Sequence, residues 1–246
     1  MDSYGIFADF YDALTLNVDY KARAEYIIKT LKSIGHNMGL TLDLACGTGK
    51  LSVELKKSGV DVYGADASAD MLSFARENAA ENNLDILFLC QKMQELDLYG
   101  TVDTCVCTLD SINHLTNPGD VKKAFERVSL FMNKGGCFFF DVNTVYKHRE
   151  ILGNNTFVYD LDEVYCVWEN SLKENNVVDI EINFFVPEGN LYERFEESFS
   201  ERAYTDSEIT TMLENSGFKV VKRLGDMSDE APKENEQRVI YIAEKI

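Results

Sequence analysis

The sequence is short of several things, and each shortage excludes something. No run of apolar residues approaches the roughly 18–20 needed to cross a bilayer, so a membrane-spanning helix is not expected. The opening MDSYGIFADFYDA lacks a basic stretch followed by a long apolar one, so it does not read as a secretory signal. Basic residues are scarce: 24 Lys+Arg against 42 Asp+Glu leave a formal charge of −18. Nucleic acid is disfavoured as the main partner, because its phosphates would meet repulsion and no Lys/Arg cluster offers a local exception. The six cysteines, Cys46, Cys90, Cys105, Cys107, Cys137 and Cys166, form no C-x-x-C pair, and no histidine stands at ligand spacing from them. A metal centre is therefore not expected, and the cysteines read as small hydrophobes kept reduced in a cytoplasmic protein. There is no internal repeat and no long flexible linker.

What is present is a chain of 246 residues with 45% apolar content, enough for one large domain or a domain carrying an inserted subdomain. Ala24, Ile27, Ile28, Leu31 and Ile34 form a helical stripe that Gly35 would stop. Short apolar strands and helices then alternate. Strands are expected at 41–46, 61–66, 85–91, 103–109 and 137–143, with helices between them, one capped by Ser68 and one by Asn117-Pro118 and ended at Gly135-Gly136. Nearly continuous apolar strands alternating with helices imply an α/β, Rossmann-like parallel sheet covered on both faces. The alternation breaks at 155–203, where turn signals at 173–176 and 187–190 punctuate strand-like segments, an antiparallel β insertion. Thr205 and Glu208 then form a capping box, and 218–224 and 238–246 supply the last strands. The expected organisation is a core of 1–154 and 204–246, with 155–203 inserted either as an acceptor cover or as a homodimer contact.

The most informative segment is TLDLACGTGKLS, residues 41–52. A strand enters Gly47-Thr48-Gly49 and a helix leaves, a turn that lets a ligand approach the backbone closely. A dinucleotide fingerprint would carry a third glycine where Ser52 stands. Asp43, four residues before Gly47, is unhelpful beside a pyrophosphate but useful beside a cation. S-adenosylmethionine (SAM) carries an ammonium and a sulfonium and has no phosphate. Asp66, nineteen residues after Gly47, suits the hydroxyls of a ribose in either cofactor.

DLACGTG (43–49) and GADAS (64–68) resemble the first two motifs of the class I SAM-dependent methyltransferases. Within that family YGIFADFYD, LDSINHL (109–115) and the β-rich insertion are similar to small-molecule N-methyltransferases, such as the nucleotide-sugar N,N-dimethyltransferases and glycine N-methyltransferase. The resemblance implies a seven-stranded sheet with one antiparallel strand and SAM across the C-terminal strand ends, leaving as S-adenosylhomocysteine. It implies that Asp43 holds the ammonium side and that Ala45, Gly47 and Gly49 lie along the methionine part. Asp66 takes the ribose, Ala67 and Met71 wall the adenine, and Leu109 borders the cofactor. Gln91-Lys92-Met93 falls where the family often has Gly-Asp-Met; a lysine cannot accept the adenine amino bond, so Gln91 replaces the acid or backbone groups do. Residues 1–36 become a lid and helix, with Tyr11 favoured over Tyr4 near the transferable methyl.

His114 follows the fourth strand at the ligand end of the sheet, and an imidazole suits proton acceptance near neutral pH. It is expected at the active site, as a base or as an orienter of the acceptor. Asp110 and Asp141 are candidates for a cationic acceptor or are solvated acids and caps. His36 and His148 read as surface residues, and Trp168 as a core or interface anchor. The expected activity is methyl transfer from SAM to a small, amine-bearing acceptor. A nicotinamide-dependent oxidoreductase on a similar sheet and a non-catalytic SAM-binding protein are the alternatives.

Overall fold

The computed structural model describes residues 18–161 and 163–246. In its first part, helices and strands alternate: α1 (Tyr20–Ser33), β1 (Leu40–Leu44), α2 (Lys50–Lys57), β2 (Asp61–Asp66), α3 (Ala69–Glu81), β3 (Phe88–Cys90), β4 (Val102–Cys107), α4 (Pro118–Leu130) and β5 (Met132–Asn143). Four strands follow, β6 (Thr156–Asp160), β7 (Tyr165–Leu172), β8 (Val177–Glu188) and β9 (Leu191–Arg202). The chain then returns with α5 (Asp206–Asn215), β10 (Phe218–Gly225) and β11 (Arg238–Lys245). No helix among the described residues is long and apolar enough to cross a membrane.

The main sheet has seven strands in the order β10-β11-β5-β4-β1-β2-β3. β1 to β5 pair in parallel, and β11 runs antiparallel to both its neighbours. Why these strands are so apolar is plain at Phe138, Phe139 and Phe140, all fully buried. Successive side chains point to opposite faces. Phe138 and Phe140 pack with Val121 and Phe125 of α4 and Ile209 and Leu213 of α5, whereas Phe139 packs with Ala24, Ile27 and Leu31 of α1 and Leu55 of α2. A strand buried on both faces has no position for a polar alternation.

The caps are where the sequence puts them. Ser68 accepts from the Met71 N–H, Asn117 from the Gly119 N–H, and Thr205 with Glu208 closes both bonds of its capping box. Two boundaries differ from expectation. β3 spans three residues rather than seven, because it is a sheet edge where Leu87 is exposed. Gly135-Gly136 do not end α4; the helix stops at Phe131, and both glycines lie inside β5. They serve a break in register, with Val102 paired to Met132 and Thr104 to Cys137. Gly135 takes φ +77°, and a Cβ on Gly136 would stand 2.8 Å from the Asp103 carbonyl.

β6 to β9 form a separate antiparallel sheet with its own core of Val164, Cys166, Val178, Ile180, Ile182 and Phe184. Trp168 packs partly buried against that core and donates to Asn170 Oδ1 at 2.8 Å. Asn113 ties this sheet to the main one: its Nδ2 donates to the carbonyls of Asn143 and Arg202. Cys105, Cys107, Cys137 and Cys166 are buried free thiols, but Cys90, at the edge strand, is exposed. His148, expected at the surface, is fully buried, and His36 is half-buried with Nε2 2.8 Å from Thr104 Oγ1.

Candidate active site

The strand order reverses between β1 and β4, since β2 and β3 lie to one side and β5 to the other. A crevice opens outside the C-terminal ends of the strands at such a reversal, and ligands bind there. It holds a cavity of about 300 Å³ lined by Ala45, Gly47, Asp66, Ala67, Met71, Gln91, Met93, Leu109 and His114, among others. A recess of about 30 Å³ adjoins it, shares Ala45, Gly47 and Leu109, and reaches Asp43 and Tyr20. A wider depression, around His36 and Met38, lies at the opposite ends of the strands, where an open parallel sheet offers no such crevice.

The turn after β1 is built from left-handed residues: Ala45 at φ +56°, Gly47 at +53° and Gly49 at +71°. Gly49 is also demanded by packing, since a Cβ there would stand 2.9 Å from the Ala75 Cβ. A Cβ on Gly47 would meet nothing within 4 Å, so that backbone faces open space. Asp66 braces the turn: Oδ2 accepts from the Gly47 N–H at 2.8 Å and Oδ1 from the Ser68 N–H at 2.9 Å. Burial raises its pKa against those bonds. A lone pair remains on the carboxylate for a ligand hydroxyl.

Asp43 sits buried behind the turn, and the Ser52 hydroxyl donates to its Oδ2 at 2.5 Å. Burial, opposed by that bond and helped by nearby Asp66, pushes the Asp43 carboxyl up to about 7. Ser52 thus does more than replace a glycine: it aims an acid into the recess.

Across the crevice, Leu109 and Asp110 adopt φ +58° and +56°, two consecutive left-handed non-glycine residues, a conformation worth of order 1–3 kcal/mol each in strain. The fully buried Asp141 holds them there, accepting from the Leu109 N–H at 3.0 Å and the Asp110 N–H at 2.7 Å. Arg238 binds Asp141 at 3.0 Å and Asp110 at 2.7 Å, and Arg23 approaches Asp141 at 3.4 Å. Burial would raise the Asp110 carboxyl, but Arg238, then Lys147 and His114, hold it down at about 2. Asp110 and Asp141 are therefore neither solvated acids nor open cation sites; they are spent on shaping the loop.

His114 follows on the same turn, half-exposed, its ring 5.2 Å from that of Phe199 and tilted 35° to it. Behind it lies a carboxyl that sequence reasoning did not single out. Glu201, near the end of β9, is buried, with Oε1 3.6 Å from His114 Nε2 and Oε2 3.7 Å from His148 Nε2. Burial, with Asp110 adding to it, pushes Glu201 up to about 7. A signal was present: Phe195, Glu197, Phe199 and Glu201 alternate onto one face of β9. Gln91 lines the same cavity, and its amide is engaged at both ends by the Asp97 backbone, at 2.8 and 3.0 Å. Tyr4 and Tyr11 lie outside the described residues.

Residues 41–136 match the model of a methyltransferase domain. The chain is 32% identical to the putative methyltransferase YqeM of Bacillus subtilis (strain 168) over 244 residues, covering 98% of this chain and 97% of that protein. Among solved structures, an S-adenosylmethionine-dependent methyltransferase from Clostridium acetobutylicum ATCC 824 superposes with a TM-score of 0.89 at 34% identity, over 98% of each chain. The chain belongs to the SAM-dependent methyltransferases. A further relative of this methyltransferase, 28% identical over 96% of the chain and 83% of its own length, is the glycine/sarcosine N-methyltransferase of Parasynechococcus marenigrum (strain WH8102). The residues present fit SAM: an open glycine backbone lies between two acids, with Met71, Met93 and Leu109 as apolar walls, and among the described lining residues Lys92 stands without a second lysine or an arginine to meet a pyrophosphate.

Proposed function

We propose that this methyltransferase moves the SAM methyl group to the nitrogen of a small amine acceptor. The observation that carries the reading is His114, a proton-accepting side chain on the wall of the same cavity as Gly47, Asp66 and Leu109. The likeness to a glycine/sarcosine N-methyltransferase supports it.

Bound SAM supplies a methyl group already activated on a sulfonium. Asp43, in the recess, takes the ammonium end, and the backbone of Ala45, Gly47 and Gly49 carries the methionine part. Asp66 takes the ribose hydroxyls. Ala67, Met71 and Met93 wall the adenine, and with the Gln91 amide already engaged, the backbone after β3 faces its edge. Leu109 closes the other side. With the leaving group pre-activated, the protein's share is to align the acceptor, exclude water and free a lone pair. Tyr11, outside the described residues, is assigned a role beside the transferable methyl, and His114 orients the acceptor and receives its proton. The insertion, 155–203, covers the acceptor side, since β9 brings Phe199 and Glu201 to His114.

The test is a panel of glycine, sarcosine and an amino sugar beside matched alcohols and phenols, each incubated with methyl-labelled SAM. Label is expected on nitrogen. Label on oxygen alone would refute the reading.

A further inference from the structure

Several features were left unused by the site as described: the buried carboxyl of Glu201, the buried imidazole of His148 and the Asn143 amide between them and Asp110. They meet at one place. Asn143 Nδ2 donates to Asp110 Oδ2 at 2.5 Å and lies 3.4 Å from Glu201 Oε2. Its Oδ1 accepts from Lys147 Nζ at 2.9 Å. Each oxygen of Glu201 faces a different imidazole: Oε1 faces His114, open to the cavity, and Oε2 faces His148, sealed in the interior.

The tautomer of His148 follows from its other nitrogen. Nδ1 is 2.9 Å from the Asn176 carbonyl, which only accepts, so Nδ1 carries the hydrogen. Nε2 of the neutral ring is then a bare lone pair, fully buried and without a hydrogen-bond partner among the described residues. A carboxylate facing that lone pair is repelled by it; a carboxylic acid would donate to it. Asn143, on the same oxygen, favours the ionised form instead. The pocket around Glu201 therefore provides for both of its protonation states, which a purely structural acid has no need of.

We propose that Glu201 is the positioning residue of a proton path that runs from the acceptor amine through His114 to Glu201 and ends against His148. The inference rests on the N-methylation reading. In the step, the N–H bond of the acceptor ammonium breaks and its electron pair stays on nitrogen, ready to form the bond to the methyl carbon. The proton goes to the His114 imidazole, and Glu201 takes it from the imidazolium. An ammonium and a carboxylate become an amine and a carboxylic acid, so the two charges of that pair are neutralised together. The 3.6 Å separation of His114 and Glu201 is an ion-pair distance, of the kind that shortens when an acceptor is in place. The groups that face Glu201 are Asp110 and His114 from the turn after β4, Asn143 from the end of β5, and Lys147 and His148 beyond it. Asp110 is held ionised by Arg238. His148 is kept neutral by burial, which leaves Glu201 and His114 to change state as the proton moves.

With only three histidines in the chain, the imidazole signals of the S-adenosylhomocysteine-bound protein can be followed by NMR across pH 5–9. The path predicts a step near pH 7 in the His148 signals, reporting the neighbouring carboxyl. In Glu201→Gln that step vanishes from His148 and the His114 profile changes. A wild-type His148 that shows no step near pH 7 would overturn the path without any variant. So would profiles that Glu201→Gln leaves unaltered. If the step is present and lost as predicted but no amine is methylated, the N-methylation reading fails while the coupled carboxyl and imidazoles stand. If amines are methylated and the step is absent, the path alone fails.

Discussion

A single carboxyl shows how burial becomes a pH response. Asp43 is removed from water and bound by Ser52, and its folded-state pKa rises to about 7. The raised value sets the sign: the folded chain prefers the protonated acid, so this contribution to stability is complete below the ordinary aspartate pKa and is lost as pH rises through 7. A cation placed beside Asp43 reverses the preference, because it favours the ionised form. SAM affinity should therefore rise between pH 6 and 8, by up to about tenfold per pH unit below the midpoint, with a proton released on binding. Asp43→Asn should bind SAM more weakly and with little pH dependence. Calorimetry in buffers of different ionisation enthalpy checks this, and a flat wild-type profile would remove Asp43 from the ammonium site. Asp43, Gly47 and Asp66 were legible in the sequence because they sit within one βαβ unit, where spacing along the chain is spacing in the fold. Glu201 and Arg238 were not, since they reach the site from β9 and β11, and only the tertiary fold brings them to Asp110 and His114.

At the scale of elements, local chemistry set the starts of helices more clearly than their ends. Ser68, Asn117 and Thr205 each satisfy an N-terminal N–H that would otherwise lack a partner, and this requirement is written into a few adjacent residues. Thr205→Ala should cost about 1 kcal/mol, seen as a lower urea midpoint at unchanged slope. An unchanged midpoint would mean that the contacts of α5 with the core, through Ile209 and Leu213, hold the helix without its cap. Gly135-Gly136 misled for a physical reason. A glycine pair that ends a helix and one that lets a strand shift register both meet the same need, for positive φ or close backbone approach. The length of β3 depends on its place at the sheet edge, which no local pattern records.

For the whole molecule, the division of labour follows the two sheets. The seven-stranded sheet supplies a crevice with an acid at each side of a glycine turn, a feature legible from alternation and motif. The four-stranded sheet supplies the groups behind His114, and its strands were legible as strands although their reach into the site was not. The two sheets act together at His114. Wild type, His114→Ala and Tyr11→Phe should be compared for the rate of methyl transfer to the best amine of the panel and, separately, for SAM affinity. Loss of a proton acceptor predicts a fall in turnover of about 10²-fold or more for His114→Ala, and a smaller fall for Tyr11→Phe, with SAM binding nearly unchanged in both. Equal rates in all three proteins, or a loss confined to SAM affinity, would contradict amine methylation driven from this site.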